Sequence, residues 1–427
     1  MSLSVSKKIL ILTYYWPPSG GSGVQRWMYF AKYLKELGWE PIVITLDEKQ
    51  AAYPQLDHSL LKEVEGVRVI RTKTREPLRL YARLFNRSQA NGIPQGEVNT
   101  KSFFGRLAAY IRGNYFIPDA RKGWVPYAVK AAQKLLKEEK IEHLITTGPP
   151  HSTHLAGLQL SAFFQLNWWA DLRDPWSDIF YNKQMRRSQK SQAKDAQYEK
   201  TVLQKASGVI TTIGGDFQHN LRLKAPQQRF ITLANGYDAK LMQRIVASPP
   251  KDAFHIVYTG LLTQHQAYPA IIEALHQLKG ERSIRFSLAG NIPKSILKEI
   301  QTALPHIEVI YHGYLDHAAA VSLMKKAHLL LNFIFAGATT QMISGKLLEY
   351  FETQVPVLSL GDPHTAAGTF IAQGTCAKMI KSEDKAGIFT FIKALYEADT
   401  TPINKMENLS EWSRKSITKS LIKKVLS

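Results

Sequence analysis

The sequence predicts an α/β protein with two parallel sheets that are covered by helices. Short apolar runs alternate with helix-length amphipathic segments in both halves of the 427-residue chain. Continuous short apolar runs are typical of buried parallel strands, and their alternation with helices is typical of βαβ units. The two blocks meet near residues 241–253, where a Ser-Pro-Pro sequence at 248–250 indicates a linker.

The first block supplies six strand candidates and three helix candidates. Its first strand is the apolar run 9–12, and the helix after it repeats apolar residues at the helical period until Gly38 stops it. The strands are predicted at residues 8–13, 41–46, 67–70, 141–146, 167–171 and 208–212, and the helices at 24–37, 128–136 and 190–205.

The second block repeats the rhythm. Strands are predicted at residues 255–259, 285–289, 307–311, 329–334 and 355–359, and helices at 270–278, 294–303, 318–326 and 346–353. Residues 406–426 predict one or two basic amphipathic helices. We therefore divide the chain into a domain over 1–240, a domain over 241–404 and a helical tail over 405–427.

The charge is concentrated in the first domain. The chain has 55 basic and 35 acidic residues, a net charge of +20. Residues 1–240 contain 35 basic and 20 acidic residues, whereas residues 241–404 contain 14 and 13. A uniformly basic nucleic-acid coat would not look like this, so we expect an anionic partner on one face and no nucleic acid.

The cysteine content, the acidic motifs and the lengths of the apolar runs exclude several classes of protein. A single cysteine, Cys376, excludes a disulfide framework and a cysteine-based metal site. No Asp-x-Asp pair occurs, which argues against a metal-dependent sugar-transfer site of the paired-Asp type. No apolar run approaches the roughly 18 residues of a membrane span, so a cytoplasmic protein is expected.

Residues 71–125 interrupt the alternation of predicted strands and helices. They contain 11 basic and 3 acidic residues, interleaved with aromatic and apolar ones. Two interpretations stay open: a helical insert with a solvated basic face, or an interfacial helix that binds anionic lipid.

Three loops at the ends of predicted strands in the first domain carry candidate ligand-binding residues. Gly20 and Gly21 could bring bare backbone and a helix N-terminus to a phosphate or a sugar. A dinucleotide fingerprint is discounted, because Arg26 stands where its third glycine belongs. The other loops are Gly148-Pro-Pro-His151-Ser-Thr-His154 and Asp171-Leu-Arg173-Asp174-Pro-Trp176. A plain glycine turn, a packed or capping histidine and an ordinary helix start are the alternatives.

The strongest motif lies in the second domain, at residues 339–351. Ser344 and Gly345 are predicted to open a helix whose free N–H groups could bind a diphosphate, and Lys346 adds charge. Glu349, one turn later, could accept hydrogen bonds from two ribose hydroxyls. A capped helix with an i,i+3 Lys–Glu pair is the alternative.

Taken together, these motifs resemble family 4 glycosyltransferases of the GT-B fold, especially bacterial members that act on cell-surface polysaccharides. The resemblance covers nearly the whole chain and includes Asn235-Gly236-Tyr237-Asp238, Tyr258-Thr-Gly260 and His312-Gly313-Tyr314. It implies two Rossmann-like, doubly wound parallel-sheet domains facing a cleft. A nucleotide-sugar donor would bind the C-terminal domain, an acceptor the N-terminal domain, and the tail would pack back on the N-terminal domain.

The resemblance also implies roles for individual residues. Glu349 would bind the ribose, Ser344, Gly345 and Lys346 the diphosphate, and Gly313 and Tyr314 would border the base. Gly20 and Gly21 would approach the donor phosphate or the acceptor, and Arg173 and Gly260 would complete the donor site. His151, Asp174 and Gln341 would act at the reacting sugar. Transfer would proceed with retention and need neither a metal nor a cofactor, because protein donors stabilise the departing phosphate.

Three positions depart from the family pattern. Gln341 stands where the family usually has a glutamate, and Leu261 and Gln266 stand where it often has an arginine and a lysine. Lys346 and Arg173 are the candidates to supply the missing positive charge.

The leading hypothesis is a retaining glycosyltransferase with a lipid-linked or polysaccharide acceptor. It would lie peripherally on the inner face of the cell membrane and bind the anionic surface through residues 71–125. A nucleotide-sugar epimerase of the same fold would have no need of a basic insert. A non-catalytic scaffold of this fold on the membrane is favoured by the missing cations.

Overall fold

The computed structural model describes the chain from residue 7, except residues 51–52, 54–55, 76–109, 112, 180–181, 183–184, 335–342 and 344 and the Ser22 side chain. The chain forms two compact units. Unit 1 comprises Met1–Asn235 and Ile417–Ser427, and unit 2 comprises Gly236–Ser416.

Unit 1 contains a seven-stranded parallel sheet with the strand order β3-β2-β1-β4-β5-β6-β7. The strands are β1 (Lys8–Leu12), β2 (Glu40–Leu46), β3 (Arg68–Thr72), β4 (His143–Gly148), β5 (Asn167–Leu172), β6 (Gly208–Thr211) and β7 (Phe230–Thr232). The helices between them are α1 (Ser22–Glu36), α2 (Leu60–Glu63), α3 (Val125–Glu138), α4 (Thr153–Ser161), α5 (Gln189–Lys205) and α6 (Gly215–Lys224).

The core of unit 1 lies on both faces of this sheet. Alternate residues of β1 point to opposite faces, so Leu10 joins one buried apolar cluster and Ile11 the other. The C-terminal residues Ile417, Leu421 and Val425 belong to the second cluster. The Val425 carbonyl also accepts a 2.9 Å hydrogen bond from Asn167 Nδ2, so the end of the chain is an integral part of unit 1.

Unit 2 contains a six-stranded parallel sheet with the order β10-β9-β8-β11-β12-β13. The strands are β8 (Ala253–Thr259), β9 (Ser283–Ala289), β10 (Glu308–Tyr311), β11 (Leu329–Phe333), β12 (Val357–Leu360) and β13 (Ala377–Ile380). The helices are α7 (Ala239–Arg244), α8 (Tyr268–Gln277), α9 (Lys294–Ala303), α10 (His317–Lys325), α11 (Gly345–Glu352), α12 (Ala366–Ile371) and α13 (Lys385–Tyr396). A final helix, α14 (Arg414–Leu421), begins in unit 2 and ends in unit 1.

The predicted α/β class with two parallel sheets is confirmed. In each sheet the strand order reverses next to the first strand, between β1 and β4 in unit 1 and between β8 and β11 in unit 2. Such switch points leave a crevice at the carboxyl ends of the strands, which is where open α/β sheets bind ligands. The loops after β1 and β4, and those after β8 and β11, are therefore the places to look for a site.

The insert at 71–125 lies mostly outside the described residues, so its interpretation stays a prediction. Throughout the part of the chain that the structure describes, no helix is both long and apolar enough to cross a membrane.

Candidate functional site

The loop after β1 leads into α1 through two predicted donor-binding residues, Gly20 and Gly21. Gly21 immediately precedes the helix with φ +91°, a conformation that side-chain-bearing residues rarely adopt. A Cβ atom on Gly21 would meet no atom within 4 Å, so the backbone conformation, and not a lack of space, requires glycine here. The start of α1 thus offers open, bare backbone at the switch point of unit 1.

Asp171, at the end of β5, anchors this edge of the sheet. Its buried carboxylate pairs with Arg26 Nη2 at 2.8 Å and accepts hydrogen bonds from Trp27 Nε1 and Thr147 Oγ1, each at 2.7 Å. Arg26 also donates to the Leu233 carbonyl at 2.8 Å. Because these donors saturate the carboxylate, Asp171 is a structural residue that ties α1 to β4 and β5.

Arg173 joins two of the predicted loops to each other. Its Nε donates to the Gly148 carbonyl at 3.1 Å, and its Nη1 and Nη2 donate to the carbonyls of Gly23 and Pro149. The guanidinium therefore fixes the loops that follow β1 and β4. Its expected part in binding the donor stays a prediction.

His151 is buried just before α4 and stacks on Trp176, with ring centroids 5.0 Å apart and planes 7° apart. Neither ring nitrogen makes a well-formed hydrogen bond. Burial and the neighbouring His154 and Arg173 lower the pKa of His151 well below its usual range, against a weak opposing effect of the Pro175 carbonyl. The ring is therefore neutral and can both donate and accept a hydrogen bond.

His154 lies beside it and is better satisfied. Its Nδ1 is 2.9 Å from Thr146 Oγ1, which also accepts a hydrogen bond from Trp168 Nε1. Burial, and then Arg173, lower the pKa of His154 to about 3. The helix behind both rings is capped by Asp119, which accepts hydrogen bonds from the backbone N–H and the hydroxyl of Ser152, each at 2.8 Å. The carboxylate thus reaches the start of α4 from another loop, and Ser152, the residue before the helix, makes no side-chain cap of its own.

Asp174 follows Arg173 at the same edge. Burial raises the pKa of the Asp174 carboxyl, and the Arg173 charge opposes this effect. The side chain makes no hydrogen bond with the described residues. A partly buried carboxyl with a raised pKa is typical of a group that exchanges protons or binds a ligand. The expected catalytic role of Asp174 stays a prediction.

Two residues that sequence reasoning missed hold this loop in place. Asp195 and Glu199 lie one turn apart on the buried side of α5. Asp195 accepts a 2.8 Å hydrogen bond from Trp176 Nε1 and pairs with Arg187. Glu199 accepts a hydrogen bond from the Ser177 hydroxyl. Carboxylates four residues apart, in line with the apolar residues of a predicted helix, were the signal that could have revealed them.

A small cavity of about 50 Å³ adjoins these side chains, and His151, Trp176, Asp195 and Met185 are among its lining residues. That volume accommodates a few water molecules and not a sugar ring.

In unit 2, a glycine with positive φ follows each of three neighbouring strands: Gly260 (+129°) after β8, Gly290 (+117°) after β9 and Gly313 (+67°) after β10. The Gly260 N–H donates to the Ala289 carbonyl at 2.8 Å, and the Gly290 N–H donates to the Gly313 carbonyl at 2.7 Å. A Cβ on Gly290 would lie 2.2 Å from the Gly260 carbonyl oxygen. The carboxyl edge of this sheet is therefore a close-packed layer of bare backbone.

Lys346, in the first turn of α11, reaches this layer. Its Nζ donates to the Thr259 carbonyl at 3.0 Å and lies 4.2 Å from the centre of the Tyr258 ring. A Cβ on Gly260 would be 3.2 Å from the same Nζ. Burial lowers the pKa of Lys346 to about 7, and no carboxylate of the described residues pairs with it. The ammonium thus stands beside the switch point of unit 2, and none of the described acidic residues neutralises it.

Leu261 and Gln266, where the resemblance would place cations, differ in their environment. Leu261 is 56% exposed. Gln266 is buried and accepts a 2.8 Å hydrogen bond from the Thr263 N–H, which closes the loop after Gly260. The positive charge at this loop therefore comes from Lys346.

Glu349, one turn further along α11, is partly buried beside two basic side chains. His317 Nε2 is 2.8 Å from its Oε1, and Arg414 Nη2 is 3.4 Å from the same atom. Burial alone would raise the pKa of the Glu349 carboxyl, but His317 and Arg414 outweigh this effect and lower it. The carboxylate is ionised and has its second oxygen, Oε2, unbonded to the described residues.

The remaining predicted residues are less informative. Gln341 and Ser344 lie outside the described residues. Gly345 begins α11, and Tyr314 is 45% exposed after β10. No group of three or more His, Cys, Asp or Glu side chains suited to a metal ion occurs among the residues that are described.

Comparison with known proteins identifies the fold. No protein-family model and no curated protein sequence matches the chain. Solved structures match over almost its whole length. Anabaena HepE in complex with UDP-glucose has 13% identity and a TM-score of 0.59, covering 97% of this chain and 98% of its own.

Two further structures give the same picture. The lipopolysaccharide outer core galactosyltransferase WaaB has 11% identity, a TM-score of 0.55 and coverages of 97% and 98%. The N-terminal domain of Candida albicans trehalose-6-phosphate phosphatase has 14% identity, a TM-score of 0.65 and coverages of 100% and 98%. The chain therefore has the GT-B fold, the two-domain fold of nucleotide-sugar-dependent glycosyltransferases. At these identities the similarity establishes the fold alone.

Proposed function

We propose that this protein is a retaining glycosyltransferase of the family 4 type. It moves a sugar from a nucleotide-sugar donor to a lipid-linked or polysaccharide acceptor in bacterial cell-surface glycan synthesis. The acceptor oxygen forms the new glycosidic bond at the anomeric carbon, the bond from that carbon to the diphosphate breaks, and the departing nucleoside diphosphate takes up the acceptor proton. No cofactor is required, and protein groups take the part that a metal would play at the departing phosphate.

One observation carries this proposal: Lys346 and Glu349 lie one turn apart at the start of α11, and Lys346 Nζ reaches the bare backbone of Gly260. Close backbone approach, a helix N-terminus and a cation that no described carboxylate neutralises fit a diphosphate. An ionised carboxylate one turn away fits the ribose hydroxyls. HepE, which has this fold, was solved with UDP-glucose, and that supports a nucleotide-sugar donor here.

The acceptor is assigned to unit 1. His151, neutral and with unsatisfied nitrogens, and Asp174, with a raised pKa, lie at loops that Arg173 fixes together. A neutral imidazole and a carboxyl group suit sugar hydroxyls better than a phosphate. The name of WaaB, a lipopolysaccharide galactosyltransferase, supports a cell-surface glycan as the product.

A peripheral position on an anionic membrane is part of the proposal. The described end of the insert exposes Tyr110, Ile111 and Tyr115, at 46%, 41% and 69%. Lys122 donates to the Tyr115 carbonyl at 3.4 Å, and burial together with Lys194 lowers the pKa of Lys122. Exposed aromatic residues next to a lysine are typical of a surface that binds anionic lipid.

Vesicle flotation tests this surface. Full-length protein should float with vesicles that contain anionic lipid at low salt, and much less at high salt. Deletion of residues 101–113 or the change Tyr115→Ser should weaken flotation, whereas Phe163→Ser, at a residue that is 76% exposed elsewhere on unit 1, should not. Flotation that depends neither on salt concentration nor on anionic lipid would contradict the proposed binding to an anionic membrane.

A second candidate is a non-catalytic scaffold of the same fold, which is favoured by Leu261 and Gln266 in place of cations. A nucleotide-sugar epimerase is the third candidate. A panel of nucleotide sugars distinguishes them by thermal shift, release of nucleoside diphosphate and epimer formation. We expect full-length protein to release nucleoside diphosphate in the presence of EDTA. Proton NMR of the product should show that the transferred sugar keeps the anomeric configuration it had in the donor. No shift with any donor would support the scaffold.

A further inference from the structure

We propose that His317 and Arg414 are positioning residues that hold the Glu349 carboxylate in the orientation that receives the donor ribose. This inference rests on the proposed function, because it takes a nucleotide as the ligand of unit 2. It adds two residues from distant parts of the chain to the motif on α11.

The geometry around the carboxylate is asymmetric. Both basic side chains bind Oε1, His317 Nε2 at 2.8 Å and Arg414 Nη2 at 3.4 Å. A carboxylate offers only acceptors, so Nε2 of His317 carries a proton in this contact. Two donors on one oxygen fix the rotation of the carboxylate and leave Oε2 for a ligand. A ribose diol needs such a fixed oxygen, because its two hydroxyls donate along defined directions.

The two donors are themselves held by rigid elements. His317 is the first residue of α10, whose N-cap Asp316 accepts a hydrogen bond from the Ala319 N–H at 2.8 Å. Arg414 follows a short parallel pairing between Tyr237 and Ser413. The Arg414 N–H donates to the Tyr237 carbonyl at 2.8 Å. Both side chains are therefore presented from fixed backbone and not from free loops.

The three charged side chains of this cluster are largely buried, and burial of charge costs free energy. The side chains of His317, Glu349 and Arg414 are 12%, 12% and 7% exposed. Buried charged groups rarely add net stability over apolar residues of the same size. A simple structural ion pair would not need to keep one carboxylate oxygen available. His317 opens the helix that follows β10, at the carboxyl edge of the sheet, and this placement points to the nucleotide as the reason.

The test compares ribose with deoxyribose. Equilibrium binding of UDP, ADP and GDP to the full chain selects the base, and the matching 2′-deoxynucleoside diphosphate is then measured. Wild-type protein should bind the ribonucleotide at least about tenfold more tightly, the range of a hydrogen bond to a charged group. Glu349→Gln should reduce this ratio to about one or two.

The variants His317→Leu and Arg414→Met should also reduce the ratio, mainly by weakening the ribonucleotide. His317→Gln retains a donor and Arg414→Lys retains the charge, so both should partly restore the ratio. The matched controls are His364→Asn and Lys415→Met, at exposed positions of unit 2, which should leave it unchanged.

The outcomes are distinct. Equal weakening of both nucleotides in the variants would show that the two residues only stabilise unit 2, and would overturn the inference. Wild-type binding without any preference for ribose would also overturn it, while the proposed nucleotide site would stand. If wild-type protein binds none of the three diphosphates, the proposed function fails as well.

Discussion

The change Lys346→Met separates the stability of unit 2 from its ability to bind a donor. Burial lowers the pKa of Lys346 from 10.5 to about 7. At about 1.4 kcal/mol per pKa unit, keeping this lysine charged costs the unliganded fold up to roughly 5 kcal/mol. Because the side chain is only partly buried, we expect methionine to recover about 1–3 kcal/mol of that cost.

The sign of the pH dependence follows from the same shift. Between pH 7 and 10.5 the unfolded chain binds the proton of Lys346 more tightly than the folded chain does, so wild-type stability rises with pH in this window. The cost is complete below pH 7 and vanishes above pH 10.5. The difference in stability between wild type and Lys346→Met should therefore shrink as pH rises from 7 towards 10.

Donor binding should change in the opposite direction to stability. An anionic diphosphate needs the charged ammonium, so Lys346→Met should weaken binding of a nucleotide sugar by at least about tenfold, the value of one charge-assisted hydrogen bond. Wild-type affinity should also fall as pH rises above 7, because the free site loses its proton. Nucleotide sugars suit this test because their diphosphate does not titrate in that range.

The assay is urea unfolding and equilibrium binding of the same preparations, with Lys298→Met as the control for loss of an exposed lysine. That control should lie within about 0.5 kcal/mol of wild type and bind normally. The reasoning would be refuted if Lys346→Met were less stable than wild type, or if it bound the donor as tightly as wild type does.

Three further changes test other parts of the structure. Asp171→Asn should cost about 3–5 kcal/mol in urea unfolding, because it leaves a buried guanidinium without its counter-ion. His154, with a pKa of about 3, should make stability fall by about 2 kcal/mol between pH 6.5 and pH 5, since only the unfolded chain takes up its proton there, and His154→Gln should flatten that slope. Gly290→Ala, whose Cβ would lie 2.2 Å from the Gly260 carbonyl oxygen, should destabilise unit 2 and abolish donor binding. Gly38→Ala, at φ +82° with no atom within 4 Å, provides the control for backbone strain alone.

The sheets could be predicted because most of their strands are continuous buried apolar runs. The run 9–12 falls within β1, and 329–334 contains β11. The edge strands β7 (Phe230–Thr232) and β13 (Ala377–Ile380) have three and four residues, too few for a periodic signal, and they were not predicted. The strand order, and with it the position of each switch point, depends on pairing between distant segments.

The site could be predicted only in part for a similar reason. Lys346 and Glu349 are three positions apart, so helical spacing reveals that they share a turn. The partners of Glu349 are 32 and 65 residues away, at His317 and Arg414. Their contacts depend on how separate loops meet at one sheet edge, and local spacing carries no information about that. Arg173 was predicted to lie at the carboxyl edge of the sheet of unit 1, and it does. Its hydrogen bonds to three backbone carbonyls depend on how two loops meet, so the sequence could not predict them.

Amide hydrogen exchange of the full chain with the nucleotide sugar that gives the largest thermal shift tests the central claim most directly. The account predicts slower exchange in peptides over residues 259–262, 289–291 and 345–350, with little change in α9 (Lys294–Ala303). The Glu349→Gln variant should lose most of this protection at the same ligand concentration. Protection confined to unit 1, or no protection with any nucleotide sugar, would contradict a donor site at the switch point of unit 2.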